Sequence, residues 1–141
     1  MKKIIHAVLS FLVGVILVGC QSAEPIVQDQ GIKTIKGTVS YRERIALPDD
    51  ATVIVLLEDV SRADAPSKVI AKYKVITNGA QVPISFDLAY DTKKINFKHT
   101  YNVRARIEVN GRLRFTTDTI TPVVTDGSRT HHVDLMLVGV R

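Results

Sequence analysis

The sequence predicts an all-β domain, and three observations lead to that fold class. Val, Ile and Thr recur in short runs, and these β-branched residues favour strands. Several runs alternate apolar and polar residues with a period of two, which fits a strand with one buried face and fits a helix poorly. Turn signals separate the runs about every 8–12 residues. We therefore expect a single β-sandwich of the immunoglobulin or transthyretin type with about seven strands, and a closed barrel is the alternative.

The first four strands follow from the hydrophobic pattern. An alternating run over residues 35–41 is stopped soon afterwards by a Pro-Asp-Asp turn. Residues 52–60 are almost continuously apolar, as expected of a strand that is covered on both faces. Alternating runs over 69–75 and 84–90 predict the next two strands.

The last three strands include the clearest pattern in the chain. Apolar side chains of residues 101–109 face one way, while Asn, Arg and Glu side chains face the other. The Asn-Gly pair that follows predicts a tight hairpin. It leads to a strand over 113–117 in which Leu113 and Phe115 are expected to face the core. A final strand is predicted over 133–137.

Residues 1–19 have the pattern of a cleaved lipoprotein signal peptide. Lys2 and Lys3 give a positive start, and the apolar stretch that follows is shorter than the roughly 20 residues that a membrane-spanning helix needs. The stretch ends in Leu-Val-Gly-Cys, which looks like a bacterial lipobox. We expect cleavage between Gly19 and Cys20 and attachment of lipid to the sulfur of Cys20.

The predicted anchor determines how the domain is placed in the cell. Cys20 is the sole cysteine of the chain, so it has no disulfide partner within the protein. Acyl chains hold such an anchor because each buried methylene contributes roughly 0.8 kcal/mol. By resemblance to lipoprotein sorting in bacteria with two membranes, Gln21 in place of an aspartate after the cysteine implies the outer membrane and a domain that faces the periplasm. Residues 20–31 are predicted to form a flexible tether that extends to roughly 35 Å, and residues 32–141 the β-sandwich domain.

Charge and motif content argue against several functions. The formal net charge is +5, and without Lys2 and Lys3 the count is 17 Lys and Arg against 14 Asp and Glu, or +3. Because the basic residues are spread over several strands, we expect no nucleic-acid partner. His131 and His132 are adjacent and would leave opposite faces of a strand, so no metal site is expected.

Enzyme motifs are missing from the sequence as well. It contains no nucleophile elbow, no phosphate-binding glycine loop and no zinc-protease motif, so we expect no enzymatic activity and no cofactor. A deep cleft in which His99 converged with an aspartate would reverse this expectation.

Two surfaces are candidates for binding a partner. The first is a basic patch on the outward face of the predicted hairpin, where cross-strand neighbours approach within about 5 Å. Guanidinium groups there suit a carboxylate or a phosphate, although Glu108 on the same face would neutralise part of the patch. The patch comprises Arg104, Arg106, Arg112 and Arg114.

The second candidate surface is the loop over residues 61–67, which contains Asp64 and Pro66. An exposed sheet edge would serve the same purpose, because an extended peptide can join an edge strand through backbone hydrogen bonds. The alternative for this loop is a rigid turn with no contact role.

Several segments together resemble a family of lipoproteins. Residues 36–39, 45–51, 57–67 and 113–123 are similar to the YbaY lipoproteins, which belong with the YscW-like pilotins of type III secretion. The Ala-Asp-Ala-Pro loop within the third segment is distinctive, and the resemblance extends over about residues 36–138. It implies a β-sandwich, attachment to the outer membrane and, for the YscW-like branch, binding of a secretin subunit.

The leading functional hypothesis is therefore a periplasmic binding or chaperone lipoprotein with a pilotin-like role, whose partner is a secretin or another outer-membrane protein. The alternative is a structural envelope protein that contacts polysaccharide or lipopolysaccharide. The sequence leaves the oligomeric state open.

Overall fold

The computed structural model describes Gly19 and residues 31–141. The predicted signal peptide, the lipidation site at Cys20 and the predicted tether up to residue 30 lie outside the described residues, apart from Gly19. No helix among the described residues is long and apolar enough to cross a membrane.

The described domain is all-β, as the sequence predicts, with a single turn of 3-10 helix at Thr92–Lys94. Its eight strands are β1 Ile32–Tyr41, β2 Thr52–Asp59, β3 Lys68–Ile76, β4 Ile84–Asp91, β5 Tyr101–Val109, β6 Arg112–Thr116, β7 Pro122–Val123 and β8 His132–Gly139. The seven longer strands correspond to the seven predicted from the hydrophobic pattern.

The strands form one continuous sheet in the order β3-β2-β5-β6-β8-β1-β4, with β7 paired to β5. Every pairing is antiparallel except that of β1 with β8, which is parallel. The two ends of the path lie close together, since the rings of Tyr73 on β3 and Phe86 on β4 are 6.4 Å apart. The sheet is therefore nearly closed, so the predicted sandwich is not confirmed and the arrangement resembles the barrel alternative.

The core fills the inside of this curved sheet. Side chains at alternate strand positions point inward, as the period of two in β4 and β8 predicts. The largest fully buried side chains come from β1, β2, β4, β5, β7 and β8, so the core draws on the whole sheet. They are Tyr101, Phe86, Ile35, Leu57, Leu88, Ile107, Leu137, Val39, Val53, Val55, Val103 and Val123.

The hairpin between β5 and β6 confirms one prediction and corrects another. Asn110 and Gly111 both have positive φ angles, of 52° and 73°, as a tight two-residue hairpin requires. A bulge follows, because Ile107 pairs with Phe115 while the next residue, Glu108, pairs with Leu113. The extra residue in β6 reverses the alternation, so Leu113 is 41% exposed and does not face the core with Phe115.

Candidate functional site

The outer face of β2 and β5 contains a buried apolar position. Ile54 is only 2% exposed, although its neighbours Val53 and Val55 are the residues that belong to the core cluster. In the register of the sheet Ile54 lies between Lys74 on β3 and Arg106 on β5. We infer that the aliphatic stems of these long side chains cover Ile54.

The structure brings together only part of the predicted arginine patch. Arg104 and Arg106 lie on the outer face of β5, opposite Leu56 and Ile54. Arg112 pairs with Val109, whose side chain packs against the core, so Arg112 lies on the other face at the rim of the hairpin. Arg114 is the extra residue at the bulge and is exposed. The expectation of four arginines on one face is therefore wrong for Arg112.

The two arginines that share a face are compensated by carboxylates. The Nε atom of Arg106 lies 3.0 Å from Oε1 of Glu108, in an ion pair that lacks hydrogen-bond geometry. A guanidinium nitrogen of Arg104 lies 3.8 Å from Oε2 of Glu58. Glu108 thus neutralises part of the patch, as its position in the sequence predicts, whereas Arg112 and Arg114 make no ion pair with any described residue.

Glu58 lies at the base of a groove on the same side of the sheet. The groove, which we call the Glu58 groove, has Glu58, Asn102 and Arg104 as its floor. One wall is formed by the loop after β2, the second surface predicted from sequence, and the other by residues 117–120. The structure therefore places Arg104 and the predicted loop beside one another.

The carboxylate of Glu58 is the most unusual group in the groove. The residue is 5% exposed, and its Oε2 atom makes no hydrogen bond to any of the described residues. The guanidinium of Arg104 is beyond hydrogen-bond distance at 3.8 Å. A buried carboxylate oxygen without a donor costs free energy. Because Oε2 is shielded from solvent, a donor or cation in the groove would offset this cost only after displacing the side chains that cover it.

The second wall of the groove is held in place by one buried side chain and by a backbone hydrogen bond to β5. Oδ1 of Asn102, a residue 5% exposed, accepts a hydrogen bond of 2.6 Å from the backbone N–H of Thr121. The backbone N–H of Thr117 donates to the carbonyl of Ala105 at 3.0 Å. Between these fixed points the chain bulges outward and presents Ile120, which is 77% exposed. The groove therefore combines a buried carboxylate with an apolar rim.

The loop over residues 61–67 separates the Glu58 groove from a second hollow. Pro66 lines that second hollow together with Asp59, Ser61 and His99, whereas Asp64 is exposed and lines neither. Nδ1 of His99 lies 2.6 Å from Oδ2 of Asp59, and the hydroxyl of Ser61 donates to Oδ1 of Asp59 at 2.5 Å. The histidine and aspartate whose convergence would favour an enzyme thus meet here.

The arrangement of these three residues does not activate a nucleophile. The hydroxyl of Ser61 is held by the aspartate and also accepts a hydrogen bond from the N–H of Thr100 at 2.9 Å. A catalytic serine would need to donate to the histidine instead. Burial raises the pKa of Asp59, but hydrogen bonds from Ser61 and His99 outweigh that effect and hold it below its usual value. We infer that the cluster ties the loop to the start of β5.

Sequence reasoning missed Glu58, Asn102 and Ile120 as members of a site. Glu58 was included in a continuous apolar strand, yet a carboxylate within such a run is itself a signal of an unusual environment. Ile120 gave no signal, because its exposure depends on how residues 118–120 bulge away from β5. No group of three or more potential metal ligands comes together among residues 31–141 or at Gly19.

A comparison with protein families shows the class to which this fold belongs. The model of the type III secretion system lipoprotein chaperone family, YscW, matches residues 30–137. The chain belongs to this family of lipoprotein chaperones.

Two particular relatives are similar to this chain. YbaY, a lipoprotein of Escherichia coli (strain K12), is 41% identical over 118 residues, which cover 84% of this chain and 60% of the relative's length. An alternative pilotin from the type II secretion system of Vibrio cholerae has a solved structure that superposes with a TM-score of 0.76 at 61% identity. That match covers 78% of this chain and 98% of the pilotin. The chain is thus similar to a lipoprotein and to a secretion pilotin, as the sequence resemblance implies.

Proposed function

We propose that this protein is an outer-membrane lipoprotein that binds a secretin or another outer-membrane subunit in the Glu58 groove and assists its assembly. The single observation that carries the proposal is the 5% exposed carboxylate of Glu58, which has an oxygen without a hydrogen bond at the floor of an open groove. Membership of a lipoprotein chaperone family supports a pilotin-like role.

The chemistry of the groove indicates what kind of segment it accepts. A lysine or arginine of the partner would supply the donor that Glu58 lacks once Arg104, whose side chain is half exposed, moves away from the carboxylate. An apolar side chain next to that donor would pack on Ile120, which is otherwise left in water. We therefore propose a partner segment in which a basic residue is flanked by an apolar one.

The membrane anchor belongs to the same proposal. Lipid on Cys20 would hold the domain at the membrane, and Gln21 directs it to the outer membrane with the domain in the periplasm. A chaperone that is anchored in this way delivers its partner to the membrane in which the partner assembles.

The test uses a photo-crosslinking amino acid at Ile120 in the lipidated protein, expressed in the bacterium. Ile76, which is 58% exposed at the end of β3, is the matched control position. We expect capture of an outer-membrane subunit from position 120 and not from position 76, and a loss of capture in Cys20→Ser. Equal capture from both positions would contradict binding in the Glu58 groove. Unchanged capture in Cys20→Ser would contradict the proposed role of the lipid anchor.

The alternative function, contact with polysaccharide or lipopolysaccharide, receives less support from the geometry. It depends on free guanidinium groups, whereas Arg104 and Arg106 lie beside Glu58 and Glu108. Retention on isolated peptidoglycan or lipopolysaccharide that is lost when Arg104, Arg106, Arg112 and Arg114 are replaced by Ser would favour the alternative.

A further inference from the structure

The loop between β4 and β5 presents an aromatic ring to solvent. Phe97 is 80% exposed, the highest value among the exposed large hydrophobic side chains of the described residues. The loop around it, residues 92–99, contains Lys93, Lys94 and Lys98 and no acidic residue, and all three lysines are exposed. The Phe97 ring contributes nothing to the core and is surrounded by cations. Such a surface suits a partner that has both apolar and anionic groups.

Further cations lie close to Phe97 in space. Lys33 on β1 and Arg129 in the loop before β8 line the same hollow as Phe97, with Ile95 and Val124 as its apolar wall. We call the surface formed by Phe97, Lys33, Lys93, Lys94, Lys98 and Arg129 the basic rim.

The carboxylates nearest in sequence are engaged locally. Asp91 accepts a hydrogen bond from the N–H of Lys93 at 2.9 Å, and Asp126 accepts from the N–H and hydroxyl of Thr130 at 2.7 and 2.5 Å. Together with Asp59, which is paired with His99, these three carboxylates are outnumbered by the five cations of the basic rim. Positive charge therefore predominates on this surface.

The basic rim lies where the chain enters the domain. Gly31, the residue before β1, lines the same hollow, and a Cβ placed on it would lie 3.8 Å from Cε of Lys93. Cys20 precedes Gly31 by eleven residues, so the lipidated cysteine and this end of the domain are at most roughly 35 Å apart.

We propose that the basic rim rests on the anionic phospholipid surface to which the protein is tethered. Phe97 lies at the boundary between headgroups and acyl chains, where aromatic side chains are favoured, and the cations lie over the phosphates. The proposal rests on the lipid anchor of the proposed function. It implies that the domain is held against the membrane in one orientation.

The absence of tryptophan from the sequence allows a direct test. Phe97→Trp places the single tryptophan of the lipidated full chain in the basic rim. Ile76→Trp places one at the opposite end of the barrel as the matched control. Both proteins are reconstituted in phosphatidylglycerol–phosphatidylethanolamine vesicles whose acyl chains are brominated. We expect strong quenching and a blue-shifted emission for the tryptophan at position 97, neither of them at position 76, and a several-fold loss of quenching in phosphatidylcholine vesicles or at high salt.

The result that overturns the basic rim is distinct from the result that overturns the anchor. If both variants float with the vesicles and their tryptophans are quenched equally, contact of the basic rim with the membrane is contradicted while the lipid anchor stands. Protein that fails to float overturns the lipid anchor, and the basic rim with it. Replacing Lys93, Lys94 and Lys98 by Gln in the Phe97→Trp protein reduces quenching several-fold without affecting flotation, and unchanged quenching in that variant overturns the role of the lysines.

Discussion

Gly37 on β1 and Val133 on β8 approach so closely that a Cβ on Gly37 would lie 1.6 Å from the carbonyl oxygen of Val133. This contact lies within the parallel β1–β8 pairing, which closes the C-terminal strand onto the N-terminal one. The ring of Phe86 fills the remaining space, since its Cζ atom would lie 3.2 Å from the same Cβ. A side chain at position 37 therefore has no room without separating the two strands.

We expect Gly37→Ala to lower the free energy of unfolding by about 3 kcal/mol or more, because the clash is with backbone and cannot be relieved by a rotamer change. Urea denaturation followed by circular dichroism measures the effect. Gly127→Ala is the control, because nothing lies within 4 Å of its added Cβ, and it should change stability by less than about 0.5 kcal/mol. Equal stabilities of the two variants would mean that β1 and β8 are not paired in this way.

The ring of Phe115 on β6 stacks on that of Tyr41 on β1, with centroids 4.1 Å apart and planes 5° from parallel. Both residues are buried. Phe115→Leu retains much of the apolar volume and loses the stack, so we expect it to cost about 1–2 kcal/mol of unfolding free energy, and Phe115→Ala about 3–5 kcal/mol. The exposed Phe97 provides the control: Phe97→Leu should leave the urea midpoint unchanged. A midpoint lowered as much by Phe97→Leu as by Phe115→Leu would contradict this assignment of the core.

The pairing of Asp59 with Ser61 and His99 predicts a dependence of stability on pH. Because the pKa of Asp59 is lower in the folded chain than in the unfolded one, its contribution is complete above the unfolded value of about 4. The contribution is lost as the pH falls through the folded pKa. Asp59→Asn should cost about 1–2 kcal/mol at neutral pH, and the difference from the native protein should shrink below about pH 4.

Thermal unfolding of the native and Asp59→Asn proteins at neutral and acidic pH provides this measurement. Asp64→Asn, which changes an exposed carboxylate of the same loop, is the control. A difference between native and Asp59→Asn that grows as the pH falls would have the wrong sign for this explanation.

How far the sequence predicts the fold depends on how local the determining contacts are. The strands over 101–109 and 113–117 and the Asn-Gly turn between them were predicted, because alternation and turn conformation are local properties. The β6 bulge was missed, since an extra residue is recognised only when β5 and β6 are paired. The nearly closed sheet was predicted only as the barrel alternative, because pairing of β1 with β8 joins residues about a hundred positions apart and leaves no periodic signal.

The candidate site was predictable only in part for the same reason. Arg104 and the loop over 61–67 were found from charge and turn chemistry, and the structure places them at one groove. Glu58 and Asn102 become functional candidates only through burial, which depends on how residues 117–121 cover them. Arg112 was assigned to the wrong face because simple alternation was carried across the bulge.

Glu58→Gln tests separately how the buried carboxylate affects stability and how it affects binding of the partner. Glutamine keeps the shape of the side chain and removes a charge whose Oε2 has no hydrogen bond among the described residues, while Arg104, with half of its side chain exposed, remains hydrated. We therefore expect the free energy of unfolding to stay the same or to rise by up to about 1 kcal/mol.

Capture of the partner from position 120 in the Glu58→Gln protein should fall about tenfold or more, since a hydrogen bond to a charged group contributes about 1.5–3 kcal/mol. Glu108→Gln, which removes a carboxylate paired with Arg106 outside the groove, should leave capture unchanged. A Glu58→Gln protein that is less stable yet captures as much partner would show that the carboxylate stabilises the fold and does not bind the partner. A carboxylate whose role is binding is expected to destabilise the free protein.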